Sequence, residues 1–176
     1  MTKEKQTAFL KLCLADALVR LLERQRFDEI RVHDICKQAG VGRTTYYRHC
    51  GGQNGKKSLL AYKIVRAWES YAAAHRAEVE TDAGFALSCF VYENRALFTL
   101  LYEKGQIDAI MAAFEELIAA GKTVGKRDSY LMAFFTYGYF GVIYRWLRYG
   151  FDQTPEEVRA QIAETFAAAA QASSEG

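Results

Sequence analysis

An all-α fold is predicted for this chain, and three observations predict it. Its 176 residues contain a single proline. Apolar residues recur at spacings of three and four along every long stretch, the pattern of helices with one buried face. Between those stretches lie residues that start or stop helices: Gly40, Gly150 and the run Thr154-Pro155-Glu156-Glu157. Apolar residues make up 51% of the chain, enough for a core and too many for a disordered chain. The expected architecture is an N-terminal three-helix unit over residues 1–55, followed by a C-terminal helical bundle over 56–176.

The elements follow in order. A first helix is expected from about Thr7 to Arg24, with Phe9, Leu10, Cys13, Leu14, Ala17, Leu18, Leu21 and Leu22 in register. Val32, Ile35, Cys36 and Ala39 give a short second helix, stopped by Gly40, which tolerates positive φ. A third runs from Gly42 or Arg43 to about Cys50. A long fourth helix is expected from Lys56–Ser58 to about Val79, with Leu59, Tyr62, Ile64, Val65, Trp68 and Tyr71 inward. Thr81-Asp82 offers a cap for a helix from Ala83 to about Tyr92, and Glu93-Asn94-Arg95 interrupts the pattern. Two more helices are expected at Ala96–Tyr102 and Ile107–Ala120, stopped by Gly121, with residues 121–128 as a loop. Ser129–Tyr149 reads as a strong helix ended by Gly150. Thr154, Pro155 and Glu157 form a capping box for a last helix reaching about Ala172.

Helix, short glycine turn and second helix over residues 30–50 is the helix-turn-helix pattern. Its second helix reads Arg43-Thr44-Thr45-Tyr46-Tyr47-Arg48-His49. Seven consecutive polar or aromatic residues make a poor core helix, because each buried polar group needs a partner. They suit the DNA major groove, which admits one α-helix. Arginine can donate two hydrogen bonds to guanine, and a threonine methyl can meet that of thymine. Hydroxyls and cationic side chains can take phosphates and set the register.

Residues 27–47, with Phe27, Ile30, Ile35, Ala39-Gly40-Val41, Thr45 and Tyr47, resemble the N-terminal domain of the TetR/AcrR family of transcriptional regulators. The likeness extends over about residues 7–62. It implies that the second motif helix enters the major groove and that the protein is a homodimer on double-stranded, palindromic DNA. It further implies that Arg43 and Thr44 face bases, while Thr45, Tyr47 and His49 meet phosphates. Arg48 belongs to the same helix. His33 matches an early position that approaches DNA, and Lys56 matches a lysine that pairs with a phosphate. Three departures stand out. Arg31-Val32 replaces the usual Thr or Ser cap, a loss of about 1 kcal/mol. Cys50 replaces a large apolar residue. The loop Gly51-Gly52-Gln53-Asn54-Gly55 is about three residues longer than usual.

Residues 92–102 and 134–166 also resemble one branch of that family, the branch of dihydroxyacetone-kinase regulators. Glu93-Asn94-Arg95, Phe98, Gly138, Gly141, Trp146, Gly150-Phe151 and Pro155-Glu156-Glu157 carry this likeness. Nine of the 18 residues from Phe134 to Phe151 are aromatic, so more than one face of that helix must be covered. Gly138 and Gly141 would open a notch for another helix. A homodimer interface is therefore expected on the last two helices, at Gly138, Gly141, Tyr144, Arg145, Ile162 and Phe166. The family resemblance implies a pocket for a small hydrophobic effector, with Trp68, Tyr71, Tyr92, Phe98, Tyr102, Tyr137 and Trp146 as candidates. The alternative is a C-terminal domain that binds a protein partner instead.

Charge is unevenly spread. Residues 1–60 hold 12 Lys/Arg against 6 Asp/Glu, a net of +6, whereas the remainder holds 11 against 15, a net of −4. A basic unit around the motif is the footprint of a polyanion binder. The four cysteines, Cys13, Cys36, Cys50 and Cys89, show no metal spacing. Cys50 adjoins Arg48 and His49, whose charge would lower its pKa. No metal and no cofactor is expected. His33, His49 and His75 are dispersed, and no nucleophile motif or phosphate loop is present, which argues against an enzyme. No apolar run is long enough to span a bilayer, and residues 1–9 lack a signal-type apolar segment. A cytoplasmic location is expected.

Overall fold

The computed structural model describes residues 2–52, 55–119 and 125–174. The fold among them is all-α, as the sequence predicts, with ten helices where nine are expected and no strand. They are α1 (Lys3–Leu22), α2 (Val32–Ala39), α3 (Arg43–Cys50), α4 (Gly55–Ala74), α5 (Arg76–Thr81), α6 (Ala83–Glu93), α7 (Arg95–Glu103), α8 (Ile107–Ala119), α9 (Lys126–Arg148) and α10 (Pro155–Ser174).

Helix α1 starts earlier than periodicity predicts, because Thr2 caps it: its hydroxyl accepts the Lys5 N–H at 3.4 Å. Leu14, Leu18 and Leu22 on its inner face are fully buried. Around them pack α2, α3 and α4. Helix α4 also packs along α8, so it joins the motif to the C-terminal helices. Two ion pairs accompany that junction, Lys63–Asp16 at 2.7 Å and Lys57–Asp108 at 3.1 Å.

The expected fourth helix is two helices. At His75 the backbone leaves the helix (φ −115°, ψ 40°). The His75 ring stacks on Tyr71 with centroids 4.1 Å apart, and its Nδ1 lies 3.0 Å from the Tyr71 carbonyl oxygen. Both interactions draw the residue back onto the preceding turn, and the chain restarts as α5.

Helix α9 begins at Lys126, inside the stretch 121–128 expected as a loop, because Gly125 in an extended conformation (φ −61°, ψ 163°) stands before its first turn. The starts of α6 and α10 follow the predicted chemistry. Asp82 caps α6, its carboxylate accepting the Phe85 N–H at 2.9 Å. At the start of α10 the Thr154 hydroxyl accepts the Glu157 N–H at 3.3 Å, and the Glu157 carboxylate accepts the Thr154 N–H at 2.7 Å. The expected stop at Gly121 lies outside the described residues, as do Gln53 and Asn54 of the glycine loop.

One continuous core runs through both halves. In the C-terminal half it is aromatic: Phe90, Phe98 and Phe114 are fully buried. The Tyr139 hydroxyl ties α9 to α6, donating to the Gly84 carbonyl at 2.7 Å beside the Ser88 hydroxyl. No helix among the described residues is long and apolar enough to cross a membrane.

Candidate nucleic-acid interface

The turn between α2 and α3 sets the geometry. Gly40 adopts φ 66°, a conformation that favours glycine. The Val41 N–H then reaches the Cys36 carbonyl at 3.0 Å, and the Gly40 N–H reaches Lys37 at 3.3 Å. This closes the carbonyl end of α2 and redirects the chain into α3. At the other end of α2 the absent Thr or Ser cap is replaced in part. The Asp34 carboxylate reaches back to accept the Arg31 N–H at 3.3 Å.

Helix α3 is divided by face. Tyr46 and Cys50 are buried against α1 and α2. Arg43, Thr44, Tyr47 and Arg48 stand exposed on the opposite side, with Thr45 and His49 half-buried at its margins. The two tyrosine rings meet edge-on, 5.5 Å apart at 88°. Burial pushes the Tyr46 phenol up to about 12. His33 is exposed on the first turn of α2. The structure thus gathers Arg43, Thr44, Tyr47 and Arg48 on one protruding face.

Lys56 sits differently. Its ammonium donates to the Phe27 carbonyl at 2.8 Å and the Ile30 carbonyl at 3.0 Å, and lies 4.4 Å from the centre of the Phe27 ring. Two of its three protons thus clasp the α1–α2 connection onto α4. One proton is left for a phosphate. Gly51 and Gly55, which flank the long loop, have no room for a side chain: a Cβ would strike the carbonyl of Tyr47 or of Cys50.

The expectation that Arg48 and His49 lower the Cys50 pKa is overturned. Cys50 points into the core, and burial raises its thiol pKa; the cation acting against that rise is Lys11. Neighbours in sequence project from different faces of a helix. All four cysteines are free. Among the described residues no group of His, Cys, Asp or Glu is placed to hold a metal ion.

The seven aromatic effector candidates do not converge. Trp68 and Tyr71 stack together and pack on Phe90, which in turn meets Phe98. Tyr92 stacks on Trp146 beside Phe151. Tyr102 meets Tyr144, which also stacks with Phe140. Tyr137 faces outward and donates to Glu115 at 2.7 Å. Of the seven, Trp146 alone lines the groove of about 590 Å³ between α9 and α10. That groove is lined instead by the interface candidates Gly138, Gly141, Arg145 and Ile162. Tyr144 turns inward, and the Phe166 side chain lies outside the described residues.

Sequence reasoning missed the Lys57–Asp108 pair and the Asp34 cap. The first joins residues 51 positions apart, which no local pattern marks. The second was signalled by an acid three residues after Arg31.

Residues 85–167 match a family model described as a transcriptional regulator C-terminal region, TetR_C_8. The comparison supports a TetR-family regulator. No curated protein and no solved structure matches the chain. The TetR-type segment runs from Phe85 on α6 into α10 and covers a little under half of the chain. It shares no residue with the helix-turn-helix, so the two lines of support are independent. A transcriptional regulator is what both lead to.

Proposed function

We propose that the protein is a homodimeric, sequence-specific DNA-binding repressor, released from its operator by a small apolar effector. The observation that carries this reading is the outward face of α3. Arg43, Thr44, Tyr47 and Arg48 protrude together on a helix anchored from behind by Tyr46 and Cys50. A protruding polar helix on a basic domain suits the major groove. Two copies would read half-sites about one helical turn apart. Residues 1–55 would read DNA, and 56–176 would dimerise and regulate. The effector would favour a spacing of the two α3 helices that no longer fits those half-sites. Release would then be a population shift, with α4 as the connecting element.

A second reading is a C-terminal domain that receives a protein partner, in line with the dihydroxyacetone-kinase-regulator-like branch. The packing of the aromatic candidates against one another favours it, since packed rings leave less space for a ligand.

The test is binding-site selection from random duplex, followed by fluorescence anisotropy on the selected site. Nanomolar binding to an inverted repeat is expected, and equal affinity for random duplex would defeat the reading. Arg43→Ala should weaken specific binding by about 1–3 kcal/mol and relax choice at one position per half-site. An equal loss on every sequence would instead make Arg43 a phosphate contact.

A further inference from the structure

A hollow of about 280 Å³ opens where α3 gives way to α4. Phe27, Val32 and Tyr47 supply its apolar walls, and Tyr46, Lys56 and Lys57 bring polar groups to it. The lining holds two cations and no acid. The decisive group is the Tyr46 hydroxyl. Tyr46 is 3% exposed, yet it lines the hollow. Its hydroxyl has no hydrogen-bond partner among the described residues. Leaving a hydroxyl on so buried a side chain unpaired is costly, and native proteins rarely do it. Gly55 keeps that hydroxyl uncovered, because a Cβ there would stand 3.0 Å from the Tyr46 oxygen.

Other donors gather around it. Lys56 has the one proton that the Phe27 and Ile30 carbonyls leave free. Lys57 lines the hollow while paired with Asp108, which stands outside the lining. Helix α4 starts at Gly55, and the first turn of a helix carries N–H groups without helical partners and a partial positive charge. Hydroxyl, ammonium and amide donors together suit an oxyanion with several oxygens to accept them.

We propose that the hollow binds a small phosphate monoester, the Tyr46 hydroxyl and the Lys56 and Lys57 ammoniums donating to its phosphate oxygens. The ester body rests on Phe27, Val32 and the Tyr47 ring. The volume is near the lower end of ligand sites, about 300 Å³, so that body is a few carbons or a single ring. This ligand is separate from the apolar effector proposed above. Its consequence for DNA rests on the reading of α3 as the DNA-binding helix. Tyr47 belongs both to the wall of the hollow and to the protruding face. A phosphate lodged beside it takes the free proton of Lys56 and repels the backbone of an approaching duplex. Monoester and operator therefore compete directly, with no change of conformation between them.

Isothermal titration calorimetry on the full chain without DNA tests the site. Phenyl phosphate, at constant ionic strength in chloride buffer, should bind once per chain, whereas phenol and benzoate should not bind. Tyr46→Phe should bind phenyl phosphate about tenfold more weakly, the scale of one lost hydrogen bond to a charged group, and keep its thermal midpoint without ligand. Lys57→Gln should also bind more weakly. Equal binding by Tyr46→Phe and the parent would overturn the site, and so would benzoate binding as tightly as phenyl phosphate. No binding of phenyl phosphate, with weaker operator binding by Tyr46→Phe, would make the anion a phosphate of the DNA backbone and overturn the free ligand. In fluorescence anisotropy, phenyl phosphate should displace operator from the parent more than chloride of equal ionic strength, with no such excess for Tyr46→Phe. A ligand that binds without displacing operator would overturn the competition. Calorimetry involves no DNA, so failure of the site is distinguishable from failure of the DNA reading.

Discussion

Tyr46 and Tyr47 are adjacent in the chain and face opposite ways. Tyr47 is exposed on the face offered to DNA, while Tyr46 is 3% exposed and holds α3 onto the core. The pattern of the sequence marks the pair as unusual, but only the helix phase assigns one to each side. The buried member has a consequence for pH. Its phenol stays protonated in the folded protein from the ordinary value of 10 up to about 12, because burial disfavours the anion. In the unfolded chain it ionises near 10. Between those values the folded state binds more protons, so stability falls as pH rises through that window and is unaffected below it. Half-buried Tyr62, Tyr71 and Tyr139 shift the same way and add to the fall. The readout is therefore a difference. Urea unfolding of Tyr46→Phe should match the parent at pH 8 and lose less stability between pH 10 and 12. Parallel curves would mean that the phenol ionises equally in both states.

At the scale of elements, legibility follows the range of the interaction. Gly40, Gly150 and the Thr154–Glu157 box act within four residues, and each stands where local chemistry predicts. The core pattern of α1 and the division of α3 are also local, because helical phase alone sets them. The break at His75 was not legible, since Trp68, Tyr71 and Val79 keep a helical spacing straight across it. The clasp of Lys56 on Phe27 and Ile30 is closed by folding across 26 or more residues, and no pattern announces it. Convergence of aromatic candidates on a pocket is likewise a matter of tertiary packing. The start of α2 is an intermediate case. Asp34 supplies the acceptor that Arg31 lacks and places a negative charge on the first turn, where the helix dipole favours it. Asp34→Ala should cost about 1 kcal/mol, read as a lower urea midpoint, whereas Asp34→Asn should recover most of the loss by keeping an acceptor. Equal losses in both variants would assign the effect to charge and not to the hydrogen bond.

On the scale of the whole molecule, the basic motif and the acidic C-terminal helices meet along α4. Lys57 stands in its first turn, next to Lys56 and near the outward face of α3, and is held by Asp108 of α8. Both partners are substantially exposed, so the pair contributes at most about 1 kcal/mol to stability. Its greater effect would be on DNA. A lysine paired with a carboxylate is partly neutralised, and a phosphate would have to compete with Asp108 for it. Freeing the lysine adds one cation at the DNA face and removes one anion. Each phosphate neutralised on duplex DNA adds about 0.9 to the slope of log affinity against log salt. Asp108→Asn should therefore bind a duplex site more tightly at low salt, with a slope steeper by roughly that amount, and should keep its unfolding midpoint. Lys57→Gln in the Asp108→Asn background should restore the parental slope. If Asp108→Asn leaves the slope unchanged, Lys57 does not reach DNA, and its pairing with α8 serves only to dock α4 on the C-terminal helices. If the slope steepens as expected, the same ion pair links the position of α8 to the grip on DNA. A shift of α8 that strengthens or breaks the pair would then change affinity without moving any residue of α3.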